Sequence, residues 1–201
     1  GQTVNMELLS KAGHLDNFHY LGHDSTDDIL TFFQRTQGSS SSSGTSGGDS
    51  ASSGGSMMHL TEVGSGIGGP ARYIAWKGNN SVSILGADIQ EDLVAEASRV
   101  ALKVGLGSSV LNFMAGDATA EAFTFPSPDE EAGVRTYDGF YSVLVFLHIR
   151  REPRLALLRK LAQEALDRER GRFIIEDYAA LHALHAEELD LLERIVGAVY
   201  I

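Results

Sequence analysis

The stretch Met57-Met-His-Leu-Thr-Glu62-Val63-Gly64-Ser65-Gly66-Ile-Gly68-Gly69-Pro70-Ala-Arg-Tyr-Ile-Ala75-Trp76 decides the fold. Met57 to Val63 reads as a buried strand that runs into a glycine turn and then a helix. Pro70 suits the first helical turn, where its missing N–H has no intrahelical partner and its fixed φ is already helical. The helix is expected to reach about Trp76. Glycines let the backbone approach a ligand closely, and a helix N-terminus is partly positive, so this strand, turn and helix predict a nucleotide-type cradle. A second strand, Ser81 to Asp88, ends in a carboxylate twenty residues beyond Gly68. An acid at that place can accept two hydrogen bonds from a ribose. The plainer role for Asp88 is to cap the helix that starts near Glu91.

The alternation continues outward. Glu91 to Val104 is amphipathic, with Leu93, Val94, Ala97, Ala101 and Val104 near one face. Val110 to Met114 predicts a third strand, ending at Gly116-Asp117, and the acidic, proline-bearing stretch after it predicts a loop. Tyr141 to Phe146 is almost wholly apolar, as expected of a strand covered on both faces. Pro153 opens a helix expected to reach about Arg168, Gly171 ends it, Arg172 to Glu176 makes a fifth strand, and Ala179 to Val196 a last helix. Such alternation predicts an α/β, doubly wound sheet. Upstream, Met6, Leu8 and Leu9 begin one short helical pattern and Asp27 to Phe33 a second. From Gly38 to Ser56 nearly every residue is Ser or Gly. That composition cannot bury enough apolar surface to offset its ordering entropy. The organisation expected is an N-terminal helical lid over 1–37, a flexible linker over 38–56, its ends about 25 Å apart, and a core over 57–201.

Composition narrows the function. The 201 residues carry 27 Asp and Glu against 16 Lys and Arg, a net charge of −11. A negative field repels phosphate backbones, so no nucleic-acid partner is expected. With no cysteine, disulfides, thiolate metal sites and Cys nucleophiles are excluded. No apolar run is long enough to span a bilayer, and the first residues lack a secretory pattern. A cytoplasmic location is expected. His14, His19 and His23 cluster without carboxylate company, so no metal site is expected. His182 and His185 lie three apart on the last helix and suit a solvated or partner-facing role.

Two cofactors use such a glycine turn. Gly64, Gly66 and Gly69 fit the dinucleotide spacing G-x-G-x-x-G, whereas Gly64, Gly66 and Gly68 fit the tighter G-x-G-x-G loop of S-adenosylmethionine (SAM) enzymes. Glu62, two residues before the first glycine, suits a sulfonium cofactor with an amino group and would repel a pyrophosphate. The stretch Glu62 to Ala75 resembles motif I of the class I SAM-dependent methyltransferases (methyltransferase type 11). It is nearest the subgroup of sarcosine/dimethylglycine, phosphoethanolamine, sterol and tocopherol methyltransferases. Gly86-Ala-Asp88-Ile89 is similar to that family's ribose-binding strand end, Gly116-Asp117-Ala118 to its third signature, and Tyr137 to Ser142 with Phe146 to Ile149 to its fourth strand and following turn. The segments Leu157 to Leu161 and Gly171 to Tyr178 resemble the helix and strand after it. The likeness runs over residues 58–178 in order.

The resemblance implies a Rossmann-like sheet of the class I SAM methyltransferase type and SAM as cofactor. It implies contacts from Glu62, Gly64, Ser65, Gly66 and Gly68, from Asp88 to the ribose, from Ile89 to the adenine, and from Gly116, Asp117 and Ala118, with Asp117 on the adenine amino group. In amine and phosphobase members the fourth strand ends in polar residues touching the methionine part; Val143, Leu144 and Val145 stand there in this chain, and Leu144 takes the contact position. The family has seven strands. Only Ala198 to Ile201 is available to begin a sixth, so the last strands are expected to be missing and the core to be C-terminally incomplete.

Methyl transfer needs an acceptor held in line and, for an amine or hydroxyl, a group to take its proton. His148, after the fourth strand at the carboxyl edge of the sheet, is the candidate base. In phosphoethanolamine methyltransferases the matching histidine pairs with a lid tyrosine, and Tyr20 is the residue here placed to do so. The plainer role for His148 is to stabilise its turn. Asp177-Tyr178 approaches the same edge. The activity expected is SAM-dependent methylation of a small-molecule acceptor, with an amine favoured by resemblance. The alternatives are an NAD(P)-linked oxidoreductase and a catalytically silent SAM-binding interaction protein.

Overall fold

The computed structural model describes residues 5–11, 22–38, 56–178 and 185–196. Five parallel strands, β1 (Met58–Val63), β2 (Val82–Asp88), β3 (Leu111–Ala115), β4 (Gly139–Val143) and β5 (Arg172–Glu176), form one sheet in the order β3-β2-β1-β4-β5. Helices α3 (Gly69–Lys77) and α4 (Glu91–Lys103) carry the chain from β1 outward to β3, and α5 (Arg151–Lys160) carries it from β4 to β5 in the opposite direction. Right-handed crossovers travelling in opposite directions place their helices on opposite faces of the sheet. The core divides accordingly. Leu60 and Ile84 pack with Ile74 of α3 and Ala101 of α4 on one face. Val63, Leu85 and Phe140 pack with Leu157 of α5 and Leu161 on the other. The doubly wound α/β sheet expected from the alternation is the fold observed, and its strand order reverses between β1 and β4, where ligands bind in such sheets.

Two N-terminal helices precede the sheet, α1 (Met6–Ser10) and α2 (Gly22–Gly38). α2 is longer than its sequence pattern indicates and is built into the core. Ile29, Leu30 and Phe33 share one face and are buried with the β1 and α3 residues. Phe33 covers Gly139, where a β-carbon would meet the ring Cδ1 at 2.8 Å. At the other end of the helix, the Ser25 hydroxyl donates to the Glu176 carboxylate at the end of β5. The Glu176 pKa is raised, by partial burial first and by the neighbouring Asp28 charge second. Residues 12–21, with His14, His19 and Tyr20, lie outside the described residues, as do 39–55 of the Ser/Gly tract and 197–201.

Two further elements differ from their sequence reading. β4 begins two residues before Tyr141 and stops at Val143; Leu144 then takes φ +55°, and Phe146–His148 form a 3-10 turn. The apolar run continues past the strand because Phe146 and Leu147 are buried side chains of the turn. α5 begins at Arg151, so Pro153 lies within its first turn, and after Lys160 the chain widens into a π turn over Leu161–Ala165, closed by the Leu166 N–H on the Leu161 carbonyl at 2.8 Å. The last helix, α6, is described over Ala186–Val196; residues 179–184, with His182, lie outside the described residues.

Candidate cofactor site

The turn after β1 is pinned to the end of β2. The N–H groups of Gly64 and Ser65 both donate to the Ala87 carbonyl, at 2.7 and 3.1 Å, and the Gly116 N–H donates to the Asp88 carbonyl at 2.8 Å. Gly64, Gly66 and Gly68 adopt φ values of +77°, +51° and +74°, a region costly for residues with a β-carbon. Gly69 instead begins α3. The conformational demand for glycine therefore falls on the tighter of the two spacings. The three glycines serve different ends. At Gly68 a β-carbon would press into the Phe113 ring of β3, with Cε1 at 2.6 Å, and the same ring excludes one at Gly86. At Gly66 a β-carbon would meet nothing within 4 Å, so that glycine faces open space.

That space is a cavity of about 620 Å³ at the carboxyl edge of the sheet, within the range of small-molecule and cofactor sites. Asp88, 9% exposed, stands on its wall. One carboxylate oxygen accepts the Gly66 N–H at 2.7 Å and the other accepts the Gln90 N–H at 2.9 Å. The capping and ligand roles weighed for Asp88 are thus compatible. A carboxylate offers about four acceptor positions, and two remain for a diol. Ile89, 65% exposed, lies beside it on the same wall. Gly116, Asp117 and Ala118 line the cavity beyond the end of β3. The Asp117 carboxylate holds its own turn through one oxygen, which accepts from the Thr119 N–H at 2.9 Å and the Thr119 hydroxyl at 2.6 Å.

Other expected contacts lie behind this wall. Glu62, Ser65, Gly68 and Leu144 do not line the cavity. Side chains alternate along a strand, and Glu62 shares the face of Leu60 while Val63 reaches the cavity from the other. Glu62 is 2% exposed, and its Oε2 has no hydrogen-bond partner among the described residues. Burial pushes its pKa well up, opposed in part by Tyr141 and the Arg72 charge, with Asp88 adding to the rise. Burial likewise raises the pKa of the Tyr141 hydroxyl that faces it. Arg72, buried on α3, donates through Nη1 to the Ile67 carbonyl of the turn. Ser65 is buried with its hydroxyl lacking a partner among the described residues.

On the far side, the turn after β4 brings Val145, His148, Ile149 and Arg150 to the cavity. His148 is exposed, and its N–H donates to the Val145 carbonyl at 2.9 Å. Asp177 accepts the Leu147 N–H at 2.8 Å, so it holds this turn from the end of β5. Arg150 and the Phe113 packing were not visible in the glycine pattern; the only signal for Arg150 is the basic run Arg150-Arg151-Glu-Pro-Arg154 in an acidic chain. Among the described residues no group of His, Asp and Glu is arranged to hold a metal ion. His23 instead stacks on Tyr73 with ring centroids 4.1 Å apart and bonds the Ser10 carbonyl at 2.7 Å. No described helix is long and apolar enough to cross a membrane.

No family profile and no curated protein sequence matches the chain significantly. Solved structures do. Magnesium protoporphyrin IX methyltransferase from Synechocystis, with bound S-adenosylhomocysteine (SAH), aligns at TM-score 0.55 and 20% identity over 98% of this chain and 68% of its own. Phosphoethanolamine N-methyltransferase 2 from Haemonchus contortus, in complex with SAM, aligns at 0.57 and 18% over 73% of this chain and 30% of its own. A Galdieria sulphuraria protein assigned as a sarcosine dimethylglycine methyltransferase aligns at 0.54 and 20% over 70% of this chain and 46% of its own. The chain therefore spans less than half the length of two of these three. At such identities the likeness is one of fold: a Rossmann-like α/β sheet in the strand order of the SAM-dependent methyltransferases.

Proposed function

We propose that the chain is a SAM-dependent methyltransferase core acting on a small-molecule acceptor, with an amine as the favoured nucleophile. The observation that carries this is Asp88, which ends β2, ties itself to Gly66 of the open glycine turn and keeps acceptor positions free toward the cavity. The fall of the positive-φ glycines on positions 64, 66 and 68 favours an adenosyl cofactor over a dinucleotide. Gly64, Gly66, Asp88, Ile89, Gly116, Asp117 and Ala118 would hold the adenosyl part. Glu62, Ser65 and Gly68 would act from behind, by shaping the turn. SAM supplies a methyl group activated on a sulfonium.

His148 stands at the cavity edge where an acceptor would approach, and its imidazole would take the acceptor's proton. Tyr20, in the segment before α2, is the proposed partner of His148, from a lid that would close over the cavity. Such closure excludes water from the reacting groups. A cytoplasmic location goes with this reading. Transfer of labelled methyl from SAM to a panel of small amines and phenols tests it. His148→Ala should lower turnover about 10²- to 10⁴-fold, the range for a positioned acid–base group, with cofactor affinity unchanged. Unchanged turnover removes His148 from the mechanism.

A second reading has one observation in its favour. Val145 presents an apolar side chain where a charged amino-acid group would need partners, as a SAM-binding protein without turnover would tolerate. Specific binding with no transfer to any acceptor would favour it.

A further inference from the structure

The site's two ends are unequal, and the difference bears on ligand length. Along the carboxyl edge, the ends of β2 and β3 supply Asp88, Ile89, Gly116 and Asp117, while β1 and β4 supply Val63, Gly64 and Val145. A nucleoside seated on Asp88 must pass over Gly64 to extend toward β4, because β1 lies between β2 and β4. The bare face of Gly64 is not open. A β-carbon there would meet Val145 Cγ1 at 2.7 Å and Cβ at 2.9 Å, so the isopropyl group already fills the hollow that the glycine leaves. Gly66, two residues on, has nothing within 4 Å on its corresponding side. Val63, Ile149 and Leu157 put apolar surface near Val145, His148 and Arg150 line the cavity from the same turn, and the Glu62 carboxylate is turned to the opposite face of the sheet.

Val145 is held there by a strained turn. Leu144 takes φ +55°, unfavourable for a residue with a β-carbon, while its N–H donates to the Glu176 carbonyl at 2.8 Å. The Val145 carbonyl in turn accepts the His148 N–H.

Resting on the adenosyl-site reading, we infer that Val145 determines the length of ligand this site accepts: it admits an adenosine-class nucleoside and disfavours the attached amino-acid tail until the Leu144–Val145 turn moves off Gly64. Because His148 is bonded to the same turn, full seating of the tail and placement of His148 are one event.

Calorimetric titration with adenosine and with SAH tests this on the whole chain, its Val145→Ala, Val145→Ile and Asp88→Ala variants, with each melting transition recorded. Val145→Ala should tighten SAH about tenfold or more while leaving adenosine within about twofold. Val145→Ile should weaken SAH and spare adenosine. Equal changes for both ligands, or no change for either, would overturn the inference and leave the adenosyl site standing. A parent chain that binds SAH far more tightly than adenosine, indifferent to residue 145, would overturn it too. Loss of the site itself reads differently: adenosine and SAH both failing to bind the parent and Val145→Ala, or binding without regard to Asp88, would overturn the adenosyl-site reading and the inference with it.

Discussion

The ends of β2 and β4 face one cavity, yet they are built by opposite means. At β2 the backbone is relaxed and a charged side chain carries the work: Asp88 is tied by two N–H donors and still has acceptor positions to offer. At β4 the backbone carries a positive φ at Leu144, and the side chain that follows it into the cavity, Val145, is apolar, with His148 and Arg150 farther along the turn. One end is organised to receive polar groups from a ligand. At the other, the Val145 side chain fills the hollow over Gly64. Preorganisation at the first end and apolar filling at the second is a division a methyl-transfer site can use, since orientation of the acceptor matters as much as affinity for the cofactor.

The largest expected effects separate glycines that serve packing from glycines that serve the ligand. Gly68→Ala combines a positive φ with a clash against the Phe113 ring and should cost about 3 kcal/mol in urea denaturation. Gly66→Ala has the φ cost without the clash, about 1 kcal/mol, yet should abolish adenosyl binding because its methyl group enters the cavity. Equal stability losses in the two variants would erase the distinction drawn between them.

Glu62 sharpens the contrast through pH. Its folded pKa lies above the ordinary 4.5 because burial disfavours the charged form. Between the unfolded and folded values, the native state holds a proton that the unfolded chain has released. Stability must therefore fall as pH rises through that window, by at most about 1.4 kcal/mol per pH unit. Glu62→Gln should flatten this slope from about pH 4.5 upward, read as melting temperature against pH. A slope unchanged by the substitution would mean that Glu62 is ionised and solvated, and so available to a ligand after all. The smallest effect belongs to the β4 turn. Leu144→Val puts a β-branched residue at positive φ and should cost about 1 kcal/mol; a neutral result would show that the turn relaxes in solution.

Much of the β2 end was legible in the sequence, because strand, glycine turn, helix and distal carboxylate each have a local signature. The β5 strand shows the same, with the expected span Arg172 to Glu176 matching the observed one. The β4 end was not legible. An apolar run records burial, not backbone direction, and Phe146 and Leu147 are buried without being in a strand. The orientation of Glu62 escaped for a related reason: alternation says that Glu62 and Val63 oppose one another but not which face holds the cavity. Nor does the pattern of α2 announce that Phe33 would seat on Gly139, since that pairing joins residues 106 positions apart.

Titration of the chain and its Asp88→Ala variant with SAH and, in parallel, with NAD and NADP separates an adenosyl site from a dinucleotide site. The parent should bind SAH and neither dinucleotide. Asp88→Ala should weaken SAH about tenfold to a hundredfold, as expected for losing charge-assisted hydrogen bonds to a buried diol. Binding of NAD or NADP with loss in the same variant, or SAH affinity indifferent to Asp88, would contradict an adenosyl site.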